Sequence, residues 1–248
     1  MSVHTIDDVI RELTQIIDTA KSTPSRLGYF PALYRKVTIE VKKGIEAGDF
    51  EDGPRMERLD VIFAKRYLDA LTQAKAGQDP TESWQIAFKA AKSKKPLVLQ
   101  HLLLGINTHI NLDLGIAAAE TMQGQDIQLL KNDFDKINEI LTSLIDGVTK
   151  ELEEISPMLK RFGLLSGKVD DYLARFGVEI AREYAWSVAL KFAGSAHSEW
   201  PAHINEQDAE VYSFAKKIRR PGRSLRFALF LIRLTERKSI KRIIEILE

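Results

Sequence analysis

Apolar residues recur at helical spacing along most of the chain. After Thr5, which fits the start of a helix, Ile6, Val9 and Leu13 fall on one face. Further stretches of this kind predict more helices, separated by turns that contain glycine or proline. They cover 31–47, 55–76, a short segment around Trp84 and Phe88, 97–119, 126–154, 168–196, and two basic segments on either side of Arg220-Pro221-Gly222.

No stretch shows the strict alternation of apolar and polar residues that is typical of strands joined by hairpins. We therefore predict an all-α fold, a single multi-helix bundle of about eight to ten helices that spans residues 1–248. Residues 205–248 are rich in lysine and arginine, and we expect them to form a basic C-terminal helical appendage.

Missing residue types exclude several chemistries. The chain contains no cysteine, which excludes disulfides, thiolate metal sites and cysteine nucleophiles. It also lacks a P-loop, a G-x-G-x-x-G fingerprint and a G-x-S-x-G elbow, so we expect no nucleotide cofactor. The first twenty residues have acids inside the apolar pattern and no signal-peptide layout, which, with the absence of cysteine, predicts a cytoplasmic protein.

The most apolar predicted helix, 97–119, carries polar side chains at regular intervals. His101, His109 and Asp113 are separated by eight and four residues, so in a helix they form a slowly drifting row. The segment is long enough to cross a bilayer, but such side chains would be costly in lipid, and we expect no transmembrane segment. A soluble helix this apolar is normally buried.

Two asparagines of the same helix, Asn107 and Asn111, are also four residues apart, on a different side. A buried polar group without a partner costs roughly 1–3 kcal/mol. The asparagines and the histidine–aspartate row therefore need partners, and we expect Asn107 and Asn111 to serve as hydrogen-bond donors to a substrate or to the groups around it.

Three interpretations of this polar row are open. The first is a structural network that fixes the register of the helix. The second is a divalent metal site with His101, His109 and Asp113 as ligands, a donor set that suits zinc, iron or manganese. The third is a metal-free acid–base site in which Asp113 tunes His109.

Residues of other predicted helices are candidates for the same centre. A carboxylate from Asp60 or Glu183 would serve as a further ligand or general base, and Tyr67, Arg182 and Trp186 as substrate contacts. The structural alternative is a buried ion pair between Asp60 and Arg182, with Trp186 in the core.

The segment LQHLLLGINTHINLDLGIAAA (99–119), with its N-x-H-I-x-x-D-L core, resembles the hallmark of a bacterial family of unknown function, domain-of-unknown-function family 5995. Similar blocks are MERLDVIFAKRYLDAL (56–71), LKNDFDKINEIL (130–141) and AREYAW (181–186). The resemblance covers roughly residues 30–190. It implies a helical bacterial protein of about this size and supplies no established reaction.

A weaker resemblance is to the zinc-dependent phospholipase C and P1-nuclease group, whose helices carry the pattern H-x-x-G-D-x-x-Q-P-x-H. Here the glycine follows His101 one residue late, no aspartate follows that glycine, and the Q-P pair is missing. What the resemblance implies is limited to histidine and aspartate ligands borne on a helix.

Charge is unevenly distributed along the chain. The net charge is +1, yet between Lys216 and Arg242 eleven lysines and arginines face one acid, Glu236. The alternatives are a surface helix pair with snorkelling basic side chains and an electrostatic collar for an anionic ligand or a lipid surface. Peripheral membrane contact through this C-terminus is therefore one expectation. No nucleic-acid-binding motif is present, so we do not expect DNA or RNA as a partner.

The function predicted first is that of a metal-dependent, hydrolase-like enzyme acting on a small or amphiphilic, anionic substrate in an interior pocket. A metal-free His/Asp acid–base enzyme is one alternative. The other is a non-catalytic helical protein that binds a hydrophobic ligand or a protein partner, with the polar row serving only the structure.

Overall fold

The structure, a computed structural model, describes residues 3–161, 178–236 and 238–248, most of which are helical. No strand occurs within these residues, so the all-α prediction is confirmed. Ten α-helices of eight residues or more are described. They are α1 Ile6–Ser22, α2 Tyr29–Ala47, α3 Gly53–Lys75, α4 Glu82–Ala91, α5 Val98–Thr121, α6 Lys131–Ile155, α7 Val178–Ala193, α8 Trp200–Arg219, α9 Arg223–Arg233 and α10 Ile240–Leu247.

Helix ends follow local sequence signals. Thr5 accepts a hydrogen bond from the Asp8 amide at 3.2 Å, while the Asp8 carboxylate accepts one from the Thr5 amide, a capping box that confirms the predicted start of α1. The helix predicted over 168–196 is described from Val178 onward, and its first ten residues lie outside the described residues.

Helix α5 occupies the centre of the bundle, where it contacts α2, α3, α4, α7 and α8. Within the described residues it is the one helix long and apolar enough to cross a bilayer, and 83% of its most apolar stretch is buried inside the protein. Its apolar character is therefore accounted for by helices that surround it on all sides.

Two glycines let neighbouring helices approach α5 closely. A Cβ atom added at Gly105 would lie 2.5 Å from the ring of Phe30 on α2, and one added at Gly115 would lie 2.7 Å from the carbonyl oxygen of Ala185 on α7. Both distances are far below van der Waals contact. The missing side chains thus bring the α2 aromatic residues and α7 directly against the centre of α5.

A buried carboxylate fixes the start of α3. Asp133, 1% exposed, accepts hydrogen bonds from the backbone amides of Glu51 (2.6 Å) and Asp52 (3.1 Å) and from the guanidinium of Arg55 (2.6 Å). The turn before α3 is thereby tied to the first turn of α6, which holds α3 in register beside α5.

The C-terminal helices share the apolar core of the bundle. Helix α8 packs on α4 and α5, and α10 packs on α1, α2 and α6. Ile218, Ile232 and Ile244 are at most 1% exposed and belong to the same cluster as Leu102 of α5. The basic segment 205–248 therefore combines a charged outer surface with a fully buried inner one.

The close packing at Gly105 yields a direct test. Gly105→Ala should lower the free energy of unfolding by about 1–3 kcal/mol, because the new methyl group overlaps the ring of Phe30. The matched control is Gly147→Ala in α6, where an added Cβ meets nothing within 4 Å and should stabilise the helix by about 0.5–1 kcal/mol. Urea denaturation measures both; equal stability of Gly105→Ala and wild type would contradict the packing.

Candidate functional site

The polar row of α5 includes a local change of helix type. Residues His109–Leu114 form a π-helical turn between two regular α-helical stretches. Such single turns are rare and recur at functional sites. His109 and Asp113, each 2% exposed, lie in this turn and contact each other.

Asp113 is the meeting point of three helices. Its Oδ1 accepts a hydrogen bond from Nε of Arg66 on α3 at 3.0 Å, and its Oδ2 accepts one from Nε1 of Trp84 on α4 at 3.0 Å. Nδ1 of His109 lies 3.2 Å from the same Oδ2. A carboxylate only accepts, so Nδ1 of His109 carries the proton and Nε2 is left as a free acceptor.

Nε2 of His109 is buried and has no hydrogen-bond partner. The imidazole ring stacks on Phe63 with centroids 3.6 Å apart, and the ring of Tyr34 meets it edge-on at 4.6 Å. Burial lowers the pKa of His109 below its ordinary value, an effect that its hydrogen bond to Asp113 partly opposes. The ring is therefore a neutral, fixed base at physiological pH.

A largely apolar cavity of about 260 Å³ adjoins His109. Its volume equals roughly eight or nine water molecules, at about 30 Å³ each. Side chains from α2, α3, α5, α6 and α7 line it, including Leu33, Phe63, Ile106 and Val148. An apolar cavity with a few placed polar groups is the usual form of a small-molecule site.

A second, smaller cavity of about 50 Å³ adjoins the first, and the two share Tyr34, Phe63 and Arg182 in their walls. Asp60 lines the smaller one. The Oη of Tyr34, the Oδ2 of Asp60 and the Nε of Arg182 are all buried without a hydrogen-bond partner. With Nε2 of His109 this makes four unpartnered polar atoms around one pair of cavities, although such atoms are rare in native proteins.

Burial shifts the ionisation of these groups toward their neutral forms. It raises the pKa of Asp60 to about 8, with the nearby Glu57 adding to the effect. Burial likewise raises the pKa of Tyr34 and lowers the pKa of Arg182 to about 9. At neutral pH Asp60 therefore holds a proton and is a hydrogen-bond donor, while Arg182 remains a cation.

Asp60 and Arg182 do not form the ion pair considered above. Within the described part of the chain, no carboxylate lies within ion-pair distance of Arg182. Its guanidinium carbon lies 4.1 Å from the centroid of the Phe134 ring, and it donates a hydrogen bond to the Phe134 carbonyl.

His101 lies apart from His109. Eight residues of helix separate the two, a rise of about 12 Å, and His101 lines two smaller cavities, of about 30 and 40 Å³, that His109 does not touch. Its Nε2 is unpartnered, and burial lowers its pKa to about 3. The described residues contain no group of three or more His, Asp or Glu side chains that could hold a metal ion, and the metal site stays a prediction.

The two asparagines face α8 and do not line the cavity beside His109. Nδ2 of Asn107 donates to the carbonyl of Val211 at 3.0 Å, and Nδ2 of Asn111 donates to Oδ1 of Asn107 at 3.0 Å. Gln207 donates in turn to the Asn111 carbonyl. Their separate side of the helix follows the sequence pattern, and these contacts tie α8 to the π turn.

The remaining predicted residues lie in three different settings. Glu183 is exposed on the outer face of α7. Trp186 packs on Phe134 with ring centroids 5.0 Å apart, in the core. Tyr67 is 1% exposed, and its ring lies 5.1 Å from Trp84 and 6.2 Å from His109. Only Tyr67 of these three therefore borders the His109 environment.

Arg66 and Trp84, the partners of Asp113, are not among the sequence-predicted site residues. The sequence places Trp84 in a short helix, and nothing in its spacing links it to a residue 29 positions away. A helical pattern of apolar residues indicates which side chains are buried. It does not indicate which buried acid a side chain contacts.

Residues 6–221 match the model of a family described as "Family of unknown function (DUF5995)". The chain belongs to this family. The matched region runs from α1 to just beyond α8, so it includes His109, Asp113, Asp60 and Arg182, and it confirms the resemblance seen in the sequence. Comparisons with curated proteins and with solved structures gave no match. The weaker resemblance to zinc-dependent phospholipase C stays a prediction.

The raised pKa of Asp60 makes a prediction about stability. In the folded protein its pKa is about 8, above the ordinary 3.8, so its contribution to folding is full below about pH 4 and is lost as pH rises toward 8. Asp60→Asn should therefore gain a few kcal/mol on wild type between pH 4 and 8. Denaturation at several pH values measures this, with the exposed Asp69→Asn on the same helix as control. Parallel stability curves for Asp60→Asn and wild type would contradict the assignment.

The environment of His109 makes a second prediction. Because burial lowers its pKa and Asp113 raises it, His109 should titrate below 6.5, and Asp113→Asn should lower its pKa further. NMR titration measures both values, with the His109 signals identified by their loss in His109→Gln. A His109 that titrates above 6.5 would show that the charge of Asp113 outweighs burial and would contradict the neutral state assigned to the ring.

Proposed function

We propose that the protein binds a small amphiphilic molecule in the cavity beside His109, and that His109 and Asp113 act on it as a metal-free acid–base pair. This proposal depends on one atom, Nε2 of His109, and on its lack of a hydrogen-bond partner. Nε2 of His109 is buried and unpartnered, His109 lines the apolar cavity, and the opposite ring nitrogen is held by Asp113. That is the arrangement of an oriented general base.

Leaving such an atom unpaired costs the folded protein stability, and an apolar residue of similar shape would avoid the cost. This loss of stability is explained if a ligand's hydroxyl or amide group donates a hydrogen bond to Nε2. The apolar lining of the cavity then takes the remainder of the molecule, and the volume limits that remainder to a small group.

The chemical step that fits this geometry is hydrolysis of a small apolar ester or amide. Nε2 accepts the proton of a water molecule, the electron pair of the broken O–H bond stays on the oxygen, and that oxygen attacks the carbonyl carbon. The imidazolium that results is stabilised by Asp113, which Arg66 and Trp84 hold in place. The proton then passes to the leaving group when the carbonyl–leaving-group bond breaks.

Asp60 and Tyr34 supply donors for the negative charge that develops on the carbonyl oxygen. Asp60 holds a proton at neutral pH because burial raises its pKa to about 8; it lines the adjoining cavity, and its Oδ2 has no hydrogen-bond partner. The Tyr34 hydroxyl is also unpartnered and borders both cavities. Donors placed in advance in a site of low polarity are effective stabilisers of such charge.

A second candidate is carriage of an apolar ligand without turnover. The observation that favours it is the strongly apolar lining of the larger cavity, in which Tyr34, His109 and Arg182 are the ionisable side chains among the described residues. In this version Nε2 of His109 serves only as a hydrogen-bond acceptor that orients the ligand.

The two candidates separate in one experiment. Purified protein is given p-nitrophenyl acetate, butyrate and octanoate, and binding of 1-octanol is followed by the fluorescence of the tryptophans. If the acid–base proposal holds, His109→Gln should lower kcat/KM by at least about a hundredfold, with a smaller effect on octanol affinity. His203→Gln, a half-exposed histidine of α8, is the matched control and should behave as wild type.

Octanol binding that depends on His109, without ester hydrolysis, would favour the carrier over the enzyme. Absence of both binding and hydrolysis would contradict both candidates. Elemental analysis of the same samples tests the metal-dependent version, which requires a stoichiometric metal that is lost in His109→Gln.

A further inference from the structure

Helix α9 has two apolar faces, and only one of them is buried. Leu225, Leu229 and Ile232 pack toward the core, with Ile232 completely inaccessible to solvent. Phe227 and Phe230 are 65% and 58% exposed. A helix at the surface of a soluble protein normally presents a polar outer face, so the exposed aromatic side chains require an explanation.

The exposed apolar residues form one patch. At 100° per residue, Phe227, Phe230 and Leu234, which follows the last residue of α9, fall within an arc of about 60°. Leu234 is 54% exposed. We call these three residues the outer patch of α9; a contiguous apolar patch of this kind usually marks an interaction surface, whereas isolated exposed apolar residues do not.

Cations without acidic partners precede the outer patch along the chain. Between positions 211 and 235 the sequence contains no Asp or Glu. Six lysines and arginines precede or begin α9, and in the described residues none of them lies within ion-pair distance of a carboxylate. They are Lys216, Lys217, Arg219, Arg220, Arg223 and Arg226. By contrast, many lysines elsewhere on the surface are paired, such as Lys43 with Glu40 and Lys65 with Asp69.

We propose that the outer patch of α9 and the cations that precede it dock the protein on a membrane surface that contains anionic lipids. The partner follows from charge complementarity together with side-chain type. Phenylalanine and leucine on one face with arginine and lysine beside them are typical of helices that lie in the lipid interface. Arginine and lysine stems reach along apolar surface toward phosphate groups, and each basic residue near an anionic surface strengthens binding about fivefold.

Docking on lipid is independent of the cavity proposal. The outer patch contains no residue of either cavity beside His109, so loss of membrane binding would leave the acid–base proposal standing. The reverse also holds, because a protein that hydrolyses no ester can still bind vesicles through α9.

The test is sedimentation of the full chain with vesicles of two compositions: phosphatidylcholine alone, and phosphatidylcholine with a quarter replaced by phosphatidylserine. Wild type should bind the mixed vesicles at least about tenfold more tightly than the neutral ones, and added salt should weaken this binding. Phe227→Ser/Phe230→Ser should reduce it by at least about tenfold. The matched control is Leu129→Ser, which removes a 56% exposed apolar side chain elsewhere and should bind as wild type.

A charge variant tests the same surface without touching the apolar patch. Arg220→Gln/Arg223→Gln/Arg226→Gln should lose at least about tenfold in affinity for the mixed vesicles. Lys43→Gln/Lys65→Gln/Lys89→Gln removes the same charge from exposed positions on other helices and should lose much less.

Three outcomes would overturn the proposal. The first is no binding to either vesicle. The second is binding that both α9 variants retain. The third is a concentration-dependent dimer, seen by light scattering and abolished by the phenylalanine variant, without any vesicle binding, which would assign the outer patch to self-association.

Discussion

The carboxylate of Asp113 is the contact on which the centre of the bundle depends. It accepts hydrogen bonds from three helices: from Arg66 on α3, from Trp84 on α4, and from His109 one turn away on α5. A carboxylate that is 2% exposed is tolerable only with such partners. The bond between His109 and Asp113 also determines the tautomer of His109, because a carboxylate accepts hydrogen bonds and does not donate them. The side chain of Asp113 thus both joins three helices and fixes the protonation of His109.

The packing around Asp113 and His109 keeps solvent away from them. Gly105 admits the ring of Phe30 against α5, and Phe63 covers one face of the imidazole, so solvent is kept from the ring. Exclusion of water makes His109 neutral and Asp60 protonated. Both effects cost stability, and neither is needed to close the bundle, because apolar residues would fill the same space at lower cost. Buried polar groups with shifted pKa values, clustered around one pair of cavities, are the pattern expected of a binding or catalytic site.

The sequence permits firm prediction where the physical signal is periodic. The helices, the burial of α5 and the proximity of His109 and Asp113 follow from spacing, and the start of α1 follows from the residue type of Thr5. Spacing does not reveal what a side chain contacts on neighbouring helices. His101 and His109 share a row in the sequence pattern, but only the structure shows that they line different cavities. Asn107 and Asn111 bond to each other and to α8, and their role toward a substrate stays a prediction.

Other features leave no single-sequence signal. A π turn has the same composition as an α turn, so the widening at His109–Leu114 is invisible before the structure. Arg66 and Trp84 reach Asp113 from positions 47 and 29 residues away, which no local pattern encodes. The outer patch of α9 could be predicted only in part. The sequence shows a basic segment with apolar residues, but the packing of Ile232 in the core is needed to show that a second apolar face remains exposed.

The most direct test of the central claim is the tautomeric state of His109, read from the nitrogen shifts of its ring by NMR before and after addition of 1-octanol. We predict a proton on Nδ1, a bare Nε2, and a shift at Nε2 alone as the alcohol donates to it. A proton on Nε2, or an Nε2 signal that does not respond to saturating octanol, would contradict the account. In that account His109 is a general base that Asp113 orients beside a ligand-binding cavity.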